Sequence, residues 1–147
     1  MSEPDPRHDT CHPAAWVFVK RLVHPTLMLL FAIALAGCDS GTKWRSGKYQ
    51  VYWIDVSSDL TLGIDTGDGM LHARVMPQVG SVGEDSRWIV ATRHPNGNKS
   101  AIEYYYFSKA DDEPSKNADE IVQGPFTASE FEQKSRELSL PPLTRQF

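Results

Sequence analysis

YQVYWIDV, residues 49–56, decides how the rest of the chain is read. It is dense in aromatic and β-branched residues, the types that fit a pleated surface. Tyr52, Ile54 and Val56 make one face of the stretch, and Tyr49, Val51 and Trp53 make the other. A strand apolar on both faces belongs in the middle of a sheet that is covered on both sides.

Working outward, Leu60, Leu62 and Ile64 alternate with Thr61 and Gly63 after an SSD turn, and DTGDG at 65–69 supplies Gly and Asp for a tight reversal. LHARVM at 71–76 alternates again, with Leu71, Ala73 and Val75 expected inward and His72, Arg74 and Met76 outward, until Pro77 discourages further pairing. VGSVGEDS at 79–86 reads as a connection, RWIVATRH at 87–94 as a fourth strand ended by PNGN, and AIEYYYFS at 101–108 as a fifth. Residues 109–119 are charged and contain proline, the pattern of a solvated loop. Strands in succession favour an antiparallel meander over βαβ units.

The period then changes to that of a helix. In FTASEF, residues 126–131, Thr127 is placed to cap through its hydroxyl, Glu130 to reach back to the N–H of Thr127, and Phe126 to pack on Phe131. Phe131 and Leu138 share a face seven residues apart, Lys134 and Arg136 suit the C-terminal end of the dipole, and Pro141 and Pro142 stop the helix. The expected fold class is α+β: an antiparallel β-meander of about five strands with one C-terminal helix packed on the sheet. Its domain spans residues 48–147.

Upstream, LMLLFAIALA at 27–36 is an uncharged run preceded by Lys20 and Arg21 and followed by Gly37 and Cys38. A permanent span needs about 20 apolar residues, so the run fits the h-region of a secretory signal better. Leu35, Ala36, Gly37 and Cys38 resemble the lipobox of bacterial lipoproteins, in which the cysteine thiol takes a diacylglyceryl group. Residues 1–37 are therefore expected to be a signal-peptide region, Cys38 the lipidated residue, and the small polar residues 38–47 a tether. Residues 1–18 are acidic and Pro-rich where an n-region is short and basic. They are either a long n-region or a mis-assigned start, with Val19, followed by Lys20, Arg21 and Leu22, the better opening. The implied location is the cell membrane, lipid-anchored and facing the periplasm or exterior. Asp39, after the cysteine, resembles the signal that retains lipoproteins in the inner membrane of enteric-type bacteria.

Composition narrows the chemistry. The net charge is −4, and removal of residues 1–37 leaves it unchanged, because Arg7, Lys20 and Arg21 leave with Glu3, Asp5 and Asp9. The remaining cations are scattered among acids, an arrangement that does not favour nucleic-acid binding. The cysteines are Cys11 and Cys38, so a cleaved chain carries no disulfide framework. His72 and His94 sit near Arg74 and Arg93 and read as surface residues, with no metal and no cofactor expected. Asp65 and Asp68 lack EF-hand spacing, and Asp111, Asp112 and Glu113 read as a solvated run of acids. No serine stands in a G-x-S-x-G elbow, and no carboxylate pair is singled out, so an enzyme is not expected.

Aromatic residues are in surplus: Trp44, Tyr49, Tyr52 and Trp53, then Trp88, then Tyr104, Tyr105, Tyr106 and Phe107. Adjacent strand residues point oppositely, so one set must find cover away from a single core. Either the helix and tether cover the second face, or aromatics such as Trp53, Trp88 and Tyr105 form an exposed patch for a partner.

SVGEDSRWIVATRHPNG at 81–97, AIEYYYFS at 101–108 and IVQGPFTASEFEQKSRELSLP at 121–141 together resemble a family of small uncharacterised bacterial proteins, many of them lipoproteins. The resemblance implies a compact α+β fold and membrane attachment in part of the family. It carries no activity and no site residue. The expected role is a noncatalytic envelope interaction protein, held to the membrane through Cys38 and binding an envelope protein partner. The alternative is an inhibitor or immunity-type protein against an envelope-targeting enzyme.

Overall fold

The structure, a computed structural model, describes residues 39–147. The leader with Leu35, Ala36, Gly37 and Cys38 lies outside the described residues. Strands β1 (Ser40–Ser46), β2 (Tyr49–Ile54), β3 (Thr61–Asp65) and β4 (Leu71–Val75) form one antiparallel sheet in chain order. Strands β5 (Val79–Glu84), β6 (Trp88–Arg93), β7 (Glu103–Ser108), β8 (Gln123–Phe126) and β9 (Arg145–Gln146) form a second, ordered β8-β7-β6-β5-β9. Helix α1 (Ala118–Ile121) precedes β8, and α2 (Ala128–Leu138) follows it.

The α+β character is present, but among the described residues the single meander of about five strands is corrected to nine strands in two sheets, and the C-terminal helix to two α-helices, neither of them the last element, with a short 3-10 turn at Pro95–Gly97. The five strands expected from alternation are β2, β3, β4, β6 and β7. Residues 40–46, read as tether, are β1, and the connection read at 79–86 is largely β5.

The two sheets pack face to face. Tyr49, Val51, Leu62, Ile64 and Val75 of the first sheet meet Val79, Val82, Ile89, Ala91 and Phe107 of the second in one buried cluster. Full burial of each such aliphatic or aromatic side chain contributes about 1.5–3 kcal/mol, so this interior is the main source of stability. The outer face of the second sheet is apolar as well, with Val90 and Tyr106 buried beneath Phe131 and Leu140. Phe131 of α2 stacks on Tyr104 at 5.0 Å and Phe126 on Tyr106 at 5.7 Å. Phe126 and Phe131, expected to pack as a staple, belong to the same apolar cluster on this face. The capping box itself is made: Thr127 N–H donates to Glu130 Oε2 at 2.8 Å, and Glu130 N–H donates to Thr127 Oγ1 at 3.4 Å.

After α2 the chain doubles back across the outer face at Gly83. A Cβ there would lie 2.0 Å from the carbonyl oxygen of Pro142, so only glycine lets the backbones approach this closely. That crossing delivers β9 to the free edge of β5, where Ser81 pairs with Gln146.

A bulge sits between β3 and β4: Leu62 pairs with Val75 but Gly63 pairs with Ala73, leaving Arg74 as the extra residue. Paired residues share a face, so Ala73 and Leu71 join Gly63 and Asp65 on the outer side, opposite to the inward placement expected of them. Arg74, expected outward, is 3 % exposed.

Candidate functional site

The sandwich has two ends of different chemistry. At one end lie the turn at 47–48, the hairpin at 66–70, the turn at 85–87 and the long loop from 109 to α1. The loop brings Asp112 back onto the bulge of β4, where Arg74 Nε and Nη2 each donate to Asp112 Oδ1 at 2.8 Å. Both side chains are essentially inaccessible, at 1 % and 0 %. Arg74 Nη2 also donates to the carbonyl of Glu113 at 3.0 Å, and Lys48 Nζ donates to the carbonyl of Asp112 at 2.6 Å. Asp112 is thus removed from the solvated run to which the sequence assigned it.

Asp112 Oδ2 and the Tyr49 hydroxyl are both buried, and the hydroxyl is directed at the Asp112 carboxylate. Burial, and then the Asp112 charge, push the Tyr49 phenol far above the ordinary tyrosine range. Lys48 and Lys109 approach the Tyr49 ring at 5.4 and 5.9 Å, and Lys109 is itself paired to Glu84. Packing and pairing consume these groups, so the cluster is a clamp that closes the end. Outside the clamp the same end exposes Asp68, Asp111, Glu113, Asp119 and Glu120 alongside Lys48 and Arg87, with Glu113 paired to Lys116 at 3.4 Å. Asp85 is half-buried, and its carboxyl is held below the usual range by the backbone N–H groups of Trp88 and Arg87.

The opposite end carries Asp39, whose carbonyl accepts from the N–H of Asp55 at 2.8 Å. The loop at 55–60, the link at 76–78 and the turn at 94–101 lie here too, tied by Val79 N–H to the Leu60 carbonyl and His94 N–H to the Gln78 carbonyl, both 2.9 Å. Asp55 has φ 64°, a left-handed turn that leaves Ile54 and Val56 outside the core at 57 % and 49 % exposure. Met76, Ile102 and Phe147 are exposed at this end as well. Among the described residues, Met70 in the 66–70 hairpin is the remaining exposed large apolar side chain, at the opposite end.

A cleft of about 940 Å³ opens beside this rim, between β1 and the 57–60 loop on one side and residues 78–80, the 94–99 turn and β9 on the other. Lys43, Lys99 and Arg145 line it with Asp59 and Trp44, and none of the three cations is ion-paired among the described residues. His94 Nδ1 is engaged by the carbonyl of Ala101 at 3.1 Å, and its Nε2 lies against Gly80, where a Cβ would meet it at 2.7 Å. The cleft thus offers three cations, the Asp59 carboxylate, the His94 ring and an apolar wall.

Trp53, Trp88 and Tyr105 do not come together. Trp53 packs on the sandwich interior across from Gly41, where a Cβ would lie 2.8 Å from its Nε1. Tyr105 also faces the interior, donates to Glu103 Oε2 at 2.7 Å, and has its phenol pushed up by burial. Trp88 stands on the outer face, edge-on to Tyr106 at 5.8 Å. The aromatic surplus is divided between two covered faces. His72 is exposed, with Nδ1 at 3.0 Å from the carbonyl of Pro114. Among the described residues no three His, Cys, Asp or Glu side chains converge as metal ligands, and no helix is long and apolar enough to cross a membrane.

Neither the Arg74–Asp112 clamp nor the apolar rim was anticipated from sequence. The clamp joins residues 38 apart with no local signature. Ile54 and Val56 carried a signal, being apolar next to Asp55 and the SSD turn, but alternation assigned them to a buried face.

What the geometry defines is an antiparallel two-sheet sandwich with a helix on one outer face, a clamped acidic end and an apolar end beside a basic cleft. No family model, no curated protein and no solved structure matches this chain.

Proposed function

We propose that this chain is a bacterial lipoprotein, cleaved before Cys38 and tethered by lipid on that cysteine, which acts in the cell envelope by binding rather than by catalysis. The observation that carries the reading is the order of features at 20–38: two cations, a ten-residue apolar run, small residues and cysteine. The start of the fold supports it. Asp39 is already bonded to Asp55 and β1 begins at Ser40, so a lipid on Cys38 would hold the domain at the bilayer with almost no free chain between them. Each buried methylene of an acyl chain contributes about 0.8 kcal/mol, so two or three chains would make the attachment effectively permanent. Metabolic labelling with palmitate should mark the wild-type protein and leave Cys38→Ser unmarked. Absence of label on wild-type protein in a host that processes lipoproteins would sink the proposal.

A second reading has its own observation. The exposed acids Asp68, Asp111, Glu113, Asp119 and Glu120 gather at the end away from Asp39, where an anchored domain would present them to a cationic partner. An inhibitor or immunity-type protein against an envelope-targeting enzyme fits that presentation. Cross-linking in intact cells, followed by recovery from solubilised membranes, should then yield a basic hydrolase or toxin. Amide substitutions at Asp111, Glu113 and Asp119 should abolish its recovery.

A further inference from the structure

We infer that the Asp39 end of the sandwich lies on the membrane surface, with Ile54, Val56, Met76 and Ile102 entering the interfacial layer of the bilayer. The inference rests on the lipid-anchor reading and adds to it an orientation and a contact surface.

The first support is the placement of apolar exposure. Ile54 and Met76 are each 57 % exposed, Val56 49 % and Ile102 45 %, all at the same end. They come from both sheets: Ile54 ends β2, Val56 follows it, Met76 links β4 to β5, and Ile102 precedes β7. A rim drawn from both layers suits a broad surface better than a groove-bound peptide. The second support is reach. Two residues of extended chain span at most about 7 Å, and Ser40, two residues after Cys38, is already paired with Ile54 in the β1–β2 ladder. An acylated Cys38 could not stand farther than that from Ser40, the ladder partner of the rim residue Ile54, whereas Met70 is held at the other end of the sheet.

The charges at this end point to lipid in general rather than to anionic headgroups. Asp39, Asp55 and Asp59 are balanced by Lys43, Lys99 and Arg145, so the contact is apolar and owes nothing to net positive charge.

The test uses the full chain, expressed in a lipoprotein-processing host, purified from membranes and returned to vesicles. Single substitutions Ile54→Cys, Val56→Cys, Met76→Cys, Ile102→Cys and, as reference, Met70→Cys are labelled with an environment-sensitive fluorophore. In the processed protein Cys11 is removed and Cys38 is blocked by lipid, so the new thiol is the one labelled. In phosphatidylcholine vesicles the four rim positions should shift to the blue and be quenched by lipid-borne spin labels, and position 70 should do neither. Adding phosphatidylglycerol should leave the pattern unchanged.

If the protein carries palmitate and the rim responds no more than position 70, the orientation is wrong and the anchor stands. If rim responses require phosphatidylglycerol, the apolar contact is wrong. If palmitate is absent, the positions are read again in a Cys11→Ser, Cys38→Ser background, where the introduced thiol is the one labelled: a rim response there means that the anchor reading fails while the contact surface survives, and no response means that both fall. Circular dichroism of each labelled variant checks the fold, and four separate positions keep the test decisive should one variant misfold.

Discussion

The two ends of this sandwich solve the same problem by opposite means. An open sandwich end exposes the edges of its core. At the Asp112 end a long loop covers it, and the loop is held by an ion pair withdrawn from water. At the Asp39 end short links and backbone hydrogen bonds hold the strands, and large apolar side chains are left outside. The clamp binds its groups to one another and leaves them nothing to offer a partner. The rim contributes little to the fold and leaves its groups available. The buried ion pair and the exposed apolar side chains thus lie at different ends.

The contrast is broken most directly at the clamp. Asp112→Ala or Arg74→Ala strands a buried charge and should cost about 3–5 kcal/mol, read as a lower urea midpoint. The double change Arg74→Met with Asp112→Leu should recover most of that loss, since the cost lies in the orphaned charge. Equal losses in the single and double variants would mean that the clamp holds the loop by a contact other than the pair.

Thr127→Ala removes the α2 cap, which begins near the Asp39 end, and should cost about 1 kcal/mol. The Glu130 carboxyl, held below the usual range by the N–H and hydroxyl of Thr127, should lose its contribution as pH falls through its folded pKa. Helical signal should therefore fade on acidification in the wild type, and less so in Thr127→Ala.

Tyr49→Phe sharpens the view of the clamp. The phenol's folded pKa is raised, so its contribution is complete below the unfolded value of about 10 and declines as pH rises beyond it. Tyr49→Phe should flatten that alkaline decline, and at neutral pH should change stability by no more than about 1 kcal/mol. Chemical unfolding at pH 8 and above pH 10 reads both effects. The smallest change is expected at the rim, where Ile54→Ser or Met76→Ser should shift stability by less than about 0.5 kcal/mol. A larger loss in thermal unfolding would make the rim part of the core and erase the difference between the ends.

Legibility in the sequence followed the source of each signal. β2, β3, β6 and β7 carry apolar residues at alternate positions because each contributes to the buried interior, and β4 was found by the same alternation although its bulge leaves Val75 inside and turns Leu71 and Ala73 out. α2 was readable because its cap is a local exchange of hydrogen bonds over four residues, 127–130. β1, β8 and β9 are edge strands with polar residues, a proline, or only two residues, and their strand character comes from the ladder they join. β5 was hidden by Gly80 and Gly83, which read as turn residues but are there because His94 and Pro142 press against the strand. Trp53, Trp88 and Tyr105 were counted as surplus, yet only the second sheet and the helix could show that Trp53 and Tyr105 face the interior and Trp88 the outer face.

By itself, then, the amino-acid sequence determined that the chain is strand-rich with one well-capped helix, since period, turn chemistry and capping act over a few residues. It also holds the Cys38 motif on which the anchoring proposal rests. Tertiary structure alone decided that there are two sheets, that a bulge turns Arg74 inward to meet Asp112, and that Ile54, Val56, Met76 and Ile102 share one end. Each of those outcomes depends on residues far apart in the chain, and such pairings are set by how layers close over one another and leave no mark in any local window.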